Sequence, residues 1–221
     1  AAFYFYENRG NEEAPVWTRK STIFNTVETT NYWKNPDFCD LDGDKDADLI
    51  YGTDDGDIYF YENKGDSLSP DFQINSNYFK VLKVNNRATP SLYDYDNDGD
   101  FDLLTGSYLN GFSYFENIGS SNYPVFEKKT TPFTEIVVGN GSSPSFIDFD
   151  SDGDLDILMG QVNGKIYLYV NEGESFQVDE EIFSDIKVNF ASTPAAADID
   201  DDGDFDILVG SDDKNDTKFY I

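Results

Sequence analysis

The 221-residue sequence contains no histidine, one cysteine, one methionine and two tryptophans, and only 15 of its residues are lysine or arginine. Each shortage removes a class of function. Without imidazole there is no histidine base, proton shuttle or histidine metal ligand. One cysteine cannot build a disulfide framework or a structural zinc site within one chain. The few cations stand against 44 aspartates and glutamates, a formal net charge of −29, so no basic face can displace counterions from nucleic acid. An anionic membrane surface repels such a chain for the same reason. No run approaches eighteen consecutive apolar residues, so no membrane-inserted helix is expected. No segment reads as a signal peptide, and the opening AAFYFYEN is already strand-like.

Aromatic residues, by contrast, are abundant: 19 Phe and 15 Tyr raise the aromatic share to 16 %. Acidic disordered chains lack such residues, so the chain is expected to fold around a core. Its length suits one domain or one repeat array.

The sequence repeats itself. FCDLDGDKDADLIYG, LYDYDNDGDFDLLTG, FIDFDSDGDLDILMG and AADIDDDGDFDILVG align, with first aspartates Asp40, Asp94, Asp148 and Asp198 spaced by 54, 54 and 50 residues. FYFYENRG from Phe3, IYFYENKG from Ile58, FSYFENIG from Phe112 and IYLYVNEG from Ile166 form a second recurring element. A proline precedes each first aspartate by four residues, at Pro36, Pro90, Pro144 and Pro194. Three registered elements divide the chain into repeats over roughly 1–57, 58–111, 112–165 and 166–221.

Within a repeat the pattern is β. The short apolar runs DLLTG and DILMG end in glycine, and Asp55-Gly56, Asn110-Gly111 and Asn163-Gly164 read as hairpin turns. The aromatic YFYEN run suits a strand. Asn-x-Gly at Asn8, Asn63, Asn117 and Asn171 marks a further turn. No helical periodicity of useful length is present. About four strands per repeat predict an all-β propeller of four-stranded blades, about four of them in this chain.

The aspartate clusters carry the chemistry. In the second repeat Asp94, Asp96 and Asp98 alternate, Gly99 follows, and Asp100 and Asp102 complete the set. A tight loop turns alternate side chains toward one centre, and hard cations such as Ca²⁺ take six to eight oxygens. Glycine permits the left-handed backbone that curls the loop. The third repeat offers Asp148, Asp150, Asp152, Asp154 and Asp156, and the fourth Asp198, Asp200, Asp202, Asp204 and Asp206. The first offers Asp40, Asp42, Asp44, Asp46 and Asp48. The seventh position (Asp46, Asp100, Asp154, Asp204) is expected to offer its backbone carbonyl, and the ninth (Asp48, Asp102, Asp156, Asp206) to return a side chain and open the next strand. An EF-hand is excluded, because its twelfth position must be glutamate and here is Tyr51, Thr105, Met159 or Val209, with β-type sequence following. Simple solvated acidic turns are the competing reading. Four registered copies argue against it, since uncompensated clusters would store like-charge repulsion. About four Ca²⁺ sites, one per repeat, are therefore expected; Mg²⁺ resists dehydration and suits such loops less well. In the first loop Gly43 stands at position four and Lys45 where the others have glycine. A site of lower affinity or altered geometry is expected there.

The pattern D-x-D-x-D-G-D-x-D-[IL], followed by glycine and an aromatic strand with Asn-x-Gly, resembles the FG-GAP/VCBS repeat family over essentially the whole chain. Members include integrin α-subunit propellers and secreted lectins. The resemblance implies blades with one Ca²⁺ in an inter-strand loop of each, held by the aspartates named above. It also implies an extracellular or cell-surface setting and a role in adhesion or in recognition of a glycan or protein. No catalytic residues carry over. Propellers of that family commonly have seven or eight blades. The aromatic strand recurs here a fifth time in TKFYI, ending at Ile221. Three arrangements follow: four blades closed by terminal strands, part of a larger propeller, or a propeller completed by another chain.

Other features read as packing. Cys39 occupies a strand position of mixed size. Trp17 aligns with Phe72, Phe126 and Phe176 and is expected in the core, as are the tyrosines of the YFYEN strands. Trp33 has no aromatic counterpart. Asn140 and Asn215 begin glycosylation sequons. No Ser/His/Asp set or transition-metal site is present, so a non-enzymatic extracellular binding module is expected. The alternatives are a structural subunit that forms homo-oligomers or filaments by pairing open blade edges, and a propeller segment of a larger secreted protein.

Overall fold

The computed structural model describes residues 3–11, 14–20, 22–27, 34–66, 68–75, 82–109, 111–130, 133, 136, 138–173, 175–199, 202–211 and, by backbone alone, 218–220. Trp33, Asn110, Asp200, Asn215 and Ile221 lie outside the described residues.

The fold is all-β. Three sheets are four-stranded and antiparallel. The first contains β3 (Lys34–Cys39), β4 (Asp48–Thr53), β5 (Ile58–Asn63) and β6 (Phe72–Ile74). The second contains β7 (Thr89–Tyr93), β8 (Asp102–Gly106), β9 (Phe112–Asn117) and β10 (Phe126–Lys129). The third contains β11 (Ser143–Ile147), β12 (Asp156–Gly160), β13 (Ile166–Asn171) and β14 (Phe176–Asp179). A fourth sheet has β15 (Thr193–Ala197), β16 (Asp206–Gly210) and β17 (Lys218–Tyr220). At the N-terminal end β1 (Phe5–Asn8) pairs with β2 (Trp17–Lys20) as a separate two-stranded sheet. The register repeats: Ile50 faces Phe60, Leu104 faces Tyr114, Leu158 faces Leu168 and Leu208 faces Phe219. β17 thus fills the third-strand place of the fourth sheet, and the N-terminal strands do not complete that sheet. Each of the other four sheets starts at its proline-bearing strand, so sequence-repeat boundaries fall between a sheet's second and third strands.

The first strands β3, β7, β11 and β15 are successive neighbours, which sets the sheets face to face as blades are. This packing explains why the second strands are apolar without alternation. Leu103 joins Ile50 and Phe60 in the core toward the first sheet, while the next residue, Leu104, joins Ile157 and Met159 in the core toward the third. Leu158 and Leu168 meet Ile207 and Val209 of the fourth sheet. Leu49, Tyr51 and Tyr61 meet Phe3 of the N-terminal segment. Cys39 is buried in the first of these cores, and burial pushes its thiol well up.

Close approach between sheets requires glycine at the end of each second strand. A Cβ on Gly52, Gly106 or Gly160 would lie 2.1, 2.0 or 2.1 Å from the carbonyl oxygen of Ala88, Ser142 or Ser192 in the next repeat. Those three residues also stitch the sheets. Their N–H groups donate to the carbonyls of Thr53 (2.9 Å), Ser107 (3.3 Å) and Gln161 (3.0 Å). The Asn-x-Gly turn is built by its asparagine: Asn63 Oδ1 accepts from Gly65 and Asp71 N–H, and Asn117 Oδ1 from Gly119 and Val125 N–H.

Two core expectations fail at the N-terminal strands, where Tyr4 and Tyr6 of the first YFYEN run are 59 % and 51 % exposed. Trp17 is 64 % exposed, whereas Phe72 and Phe176 at the same place are buried. Phe72 packs on Phe24 and Phe176 on Tyr95 and Phe133, rings supplied by the preceding repeat, and among the described residues no repeat precedes β1.

The same logic distinguishes equivalent leucines. Leu158 is fully buried and Leu208 is 45 % exposed. Leu158→Ala is expected to cost about 2–5 kcal/mol in urea denaturation, and Leu208→Ala less than about 1 kcal/mol. Equal costs would contradict the arrangement of the sheets.

Candidate metal centres

Each acidic loop joins the first and second strands of its sheet. Its curl comes from two left-handed residues: Asn97 and Gly99 (φ 59° and 96°) in the second loop, Ser151 and Gly153 (61° and 95°) in the third. Gly203 repeats the sixth position at 93°. A Cβ on Gly99, Gly153 or Gly203 would meet nothing within 4 Å, so glycine serves conformation there rather than space. In the first loop the glycine has moved. Gly43 takes the fourth position at φ 75°, and Lys45 is held left-handed at 78°.

The first aspartate staples the loop. Asp94 accepts from Asp98 N–H (3.1 Å) and Gly99 N–H (3.1 Å), and Asp198 repeats this with Asp202 (3.2 Å) and Gly203 (3.0 Å). Asp40 accepts from Lys45 N–H at 3.0 Å. The fifth-position aspartate accepts from the seventh residue's N–H: Asp44 from Asp46, Asp98 from Asp100, Asp152 from Asp154 and Asp202 from Asp204.

Three loops bring carboxylates together. Ligand oxygens of Asp94, Asp96 and Asp98 lie within 4.8 Å of one another, as do those of Asp148, Asp150 and Asp152, and those of Asp40, Asp42 and Asp48. In the first loop, therefore, the ninth-position aspartate joins the cluster and Asp44 does not. In the fourth, Asp198, Asp202, Asp204 and Asp206 keep the same hydrogen bonds, and Asp200 is outside the described residues.

These groups fit a hard cation. Three carboxylate oxygens in the loops, Oδ1 of Asp40, Asp42 and Asp148, are shielded from solvent and accept no hydrogen bond, while Asp46 and Asp100 have the side-chain amides of Asn63 and Asn117 beside them. Buried anionic oxygens without a donor are costly, and a cation is the partner that carboxylates alone can accommodate. Asp100 is pushed up to about 6, first by burial and then by the charges of Asp98, Asp96 and Asp94. Its side chain, and not only its carbonyl, therefore belongs to the acidic cluster. Asp42 and Asp96 are raised by the same two causes in the same order.

The ninth aspartate has a second task that its place in the motif does not reveal. Asp48, Asp102 and Asp156 are buried. One oxygen accepts from the loop's second residue: Asp48 from Leu41 (3.1 Å), Asp102 from Tyr95 (3.2 Å), Asp156 from Phe149 (2.8 Å) and Asp206 from Ile199 (2.8 Å). The other accepts from the asparagine ending the third strand: Asn63 (2.8 Å), Asn117 (2.7 Å) and Asn171 (2.8 Å). Tyr114 Oη adds a third donor to Asp102 at 3.0 Å. This carboxylate ties the loop to the third strand. The constant separation of 15 residues between aspartate and asparagine is the signal in the sequence that reveals the tie. Burial pushes Asp48 up to about 7 and Asp102 to about 6, and raises Asp156.

Face-to-face four-stranded sheets joined by acidic inter-strand loops define a propeller-type repeat protein with candidate cation sites. The family model described as FG-GAP-like repeat matches residues 40–105, 94–159 and 148–209, and the chain belongs to this family. No curated protein matches the chain at a significant level.

Four outcomes follow. Asp102→Ala leaves two backbone N–H groups and a tyrosine hydroxyl without their acceptor, at about 1–3 kcal/mol each, so urea denaturation in chelator should show a loss of several kcal/mol. Asp94→Ala should cost less in chelator, because it also relieves repulsion. Lys45→Gly should stabilise by about 1 kcal/mol by removing a left-handed side chain. Without metal, carboxylates with raised folded-state pKa values contribute stability that is lost as pH rises through those values. The melting temperature in chelator should therefore fall between about pH 5 and pH 8 as Asp102 (about 6) and Asp48 (about 7) ionise. A chelated protein that gains stability over that range would contradict the assignment.

Proposed function

We propose that the chain is a non-enzymatic, extracellular calcium-binding propeller module that recognises a glycan or a protein through the loops between its sheets. The donorless buried carboxylate oxygens of the acidic loops carry this reading. One Ca²⁺ is held per repeat, four in all: by Asp94, Asp96, Asp98 and Asp100 and their counterparts in the third and fourth repeats, and by Asp40, Asp42 and Asp48 in the first. Bound calcium supplies the positive charge that lets these aspartates stay ionised together. The ninth aspartates transmit the loop's rigidity to the third strands. The first site is the weakest, because Lys45 brings a cation and a strained backbone to it.

The all-oxygen donor set favours Ca²⁺ over Mg²⁺. Extracellular modules bind calcium at about 10⁻⁴–10⁻³ M, a concentration absent from cytosol. FG-GAP repeats, the family of this chain, also occur in extracellular proteins, and the family is generally non-catalytic. A place for a ligand lies between the second and third loops. There a cleft of about 250 Å³ is lined by Tyr93, Tyr95, Asn97, Asp154 and Asn171. A partly exposed tyrosine ring beside amide and carboxylate groups suits a sugar's apolar face and hydroxyls.

Calcium at ten times Kd contributes about 1.4 kcal/mol per independent site, or about 5–6 kcal/mol for four. At about 2–4 °C per kcal/mol for a chain of this size, excess EDTA should lower the melting temperature by roughly 10–20 °C. Added Ca²⁺ should restore it, and Mg²⁺ at the same concentration should do so less well. An unchanged melt, with metal content measured as zero, would overturn the calcium reading.

A further inference from the structure

The chain breaks its own period once. First aspartates are spaced by 54, 54 and then 50 residues. The shortening falls in one turn: Phe72 follows Asn63 and Phe126 follows Asn117 by nine positions, whereas Phe176 follows Asn171 by five. Hydrogen bonds locate it. Ile118 N–H donates to the Val125 carbonyl at 2.9 Å, and its counterpart Glu172 N–H to the Ser175 carbonyl at 2.9 Å. Residues 120–123 of the second repeat therefore have no equivalent in the third.

In the second repeat those residues form a cover. Asn122 Oδ1 lies 2.8 Å and Ser121 Oγ 3.6 Å from where a Cβ on Gly43 would stand, so the turn of the second sheet lies on the acidic loop of the first. One repeat on, the counterpart of Gly43 is Asn97. It lines the cleft of about 250 Å³ already described, together with Gly173 of the shortened turn. The cleft stands where residues 120–123 stand one repeat earlier.

The side chains change at the same place. Where the first repeat has Cys39, Leu41 and Gly43, the second has Tyr93, Tyr95 and Asn97 along the cleft. Cys39 and Leu41 are buried, whereas Tyr93 is 43 % exposed. Asp148 and Asp154 of the third loop complete the lining. Asp94 and Asp198 each accept from two N–H groups of their own loops, but Asp148 Oδ1 is shielded from solvent and accepts no hydrogen bond.

Resting on the recognition role given above, we propose that this cleft is where recognition occurs and that it takes one neutral pyranose unit of a glycan. The apolar face of the sugar lies on the Tyr93 ring, and its hydroxyls bond to Asn97 and Asp154. Size, shape and charge select this ligand. The cleft is smaller than the roughly 300–1,000 Å³ of pockets for drug-sized molecules, which suits a single ring rather than an extended peptide. A flat aromatic face beside amide and carboxylate groups matches a ring with an apolar face and a hydroxylated rim. Two carboxylates, in a chain of net charge −29, repel acidic sugars and phosphorylated ligands.

The test is ¹H–¹⁵N correlation NMR of the 221-residue chain in calcium. The probes are the methyl glycosides of glucose, galactose, mannose and N-acetylglucosamine, with arginine amide as a cationic probe. At least one glycoside should shift the amide signals of Asn97, Gly153 and Gly173 saturably, and arginine amide should not. Tyr93→Ala should weaken that binding about tenfold. Inserting Ser-Ser-Asn-Tyr, the sequence of residues 120–123, after Gly173 should rebuild the cover and abolish the shifts while the melting temperature in calcium holds. Asn97→Gly, which restores the first repeat's residue, should weaken binding and replaces the insertion if that variant fails to fold. Shifts from arginine amide alone would overturn the proposal in favour of a basic peptide. Glycoside shifts confined to other loops would overturn the cleft and leave glycan recognition standing. No shift from any glycoside, or shifts that survive the insertion, would overturn it too. Failure of the calcium reading is separate: it appears as a melt insensitive to EDTA, whatever the glycosides do.

Discussion

The buried carboxylate at the ninth position of each acidic loop is the interaction on which the rest depends. It accepts from a backbone N–H at the loop's start and from another at the end of the third strand, 15 residues away. The loop, the second strand that this aspartate opens, and the Asn-x-Gly turn therefore form one unit. The asparagine whose N–H is held this way spends its own side chain on shaping the turn to the fourth strand. A single carboxylate thus links, through one neighbour, all four strands of a sheet.

That arrangement carries an electrostatic cost. Burial raises the proton affinity of the linking carboxylate, and four more aspartates crowd the loop above it. Backbone N–H groups neutralise part of the charge but leave several oxygens without donors. The proposed divalent cation would resolve the conflict, and stability would then depend on its occupancy. The first loop shows how far the pattern can bend. Its glycine lies two positions early and a lysine accepts the left-handed backbone, yet Asp40, Asp42 and Asp48 still converge.

Much of this was legible in the sequence. Registered repeats fixed the period, and glycine-terminated apolar runs marked strands buried on both faces. The alternation of aspartates predicted the convergent loops, and the structure brings three of them together. What the sequence could not show depends on neighbours in space. Alignment placed Trp17 with buried phenylalanines and gave its face correctly, but whether a sheet covers that face is not a local property. Period also does not set phase, so the repeats cut each sheet between its second and third strands. The ninth aspartate read as one more oxygen ligand. Its role as a clamp becomes visible only when Asp102 is seen facing Asn117, although the constant spacing was there to be read.

The most direct test of the account is amide hydrogen exchange across a calcium titration, read at Asn63, Asn117 and Asn171, the three donors to the clamping carboxylates. If cation occupancy sets the rigidity of each sheet through its ninth aspartate, removing calcium should lower protection at these amides together with that at Gly99 and the other loop amides. Loss of protection in the loops alone, with the three asparagine amides unchanged, would show that loops and strands are not coupled as described.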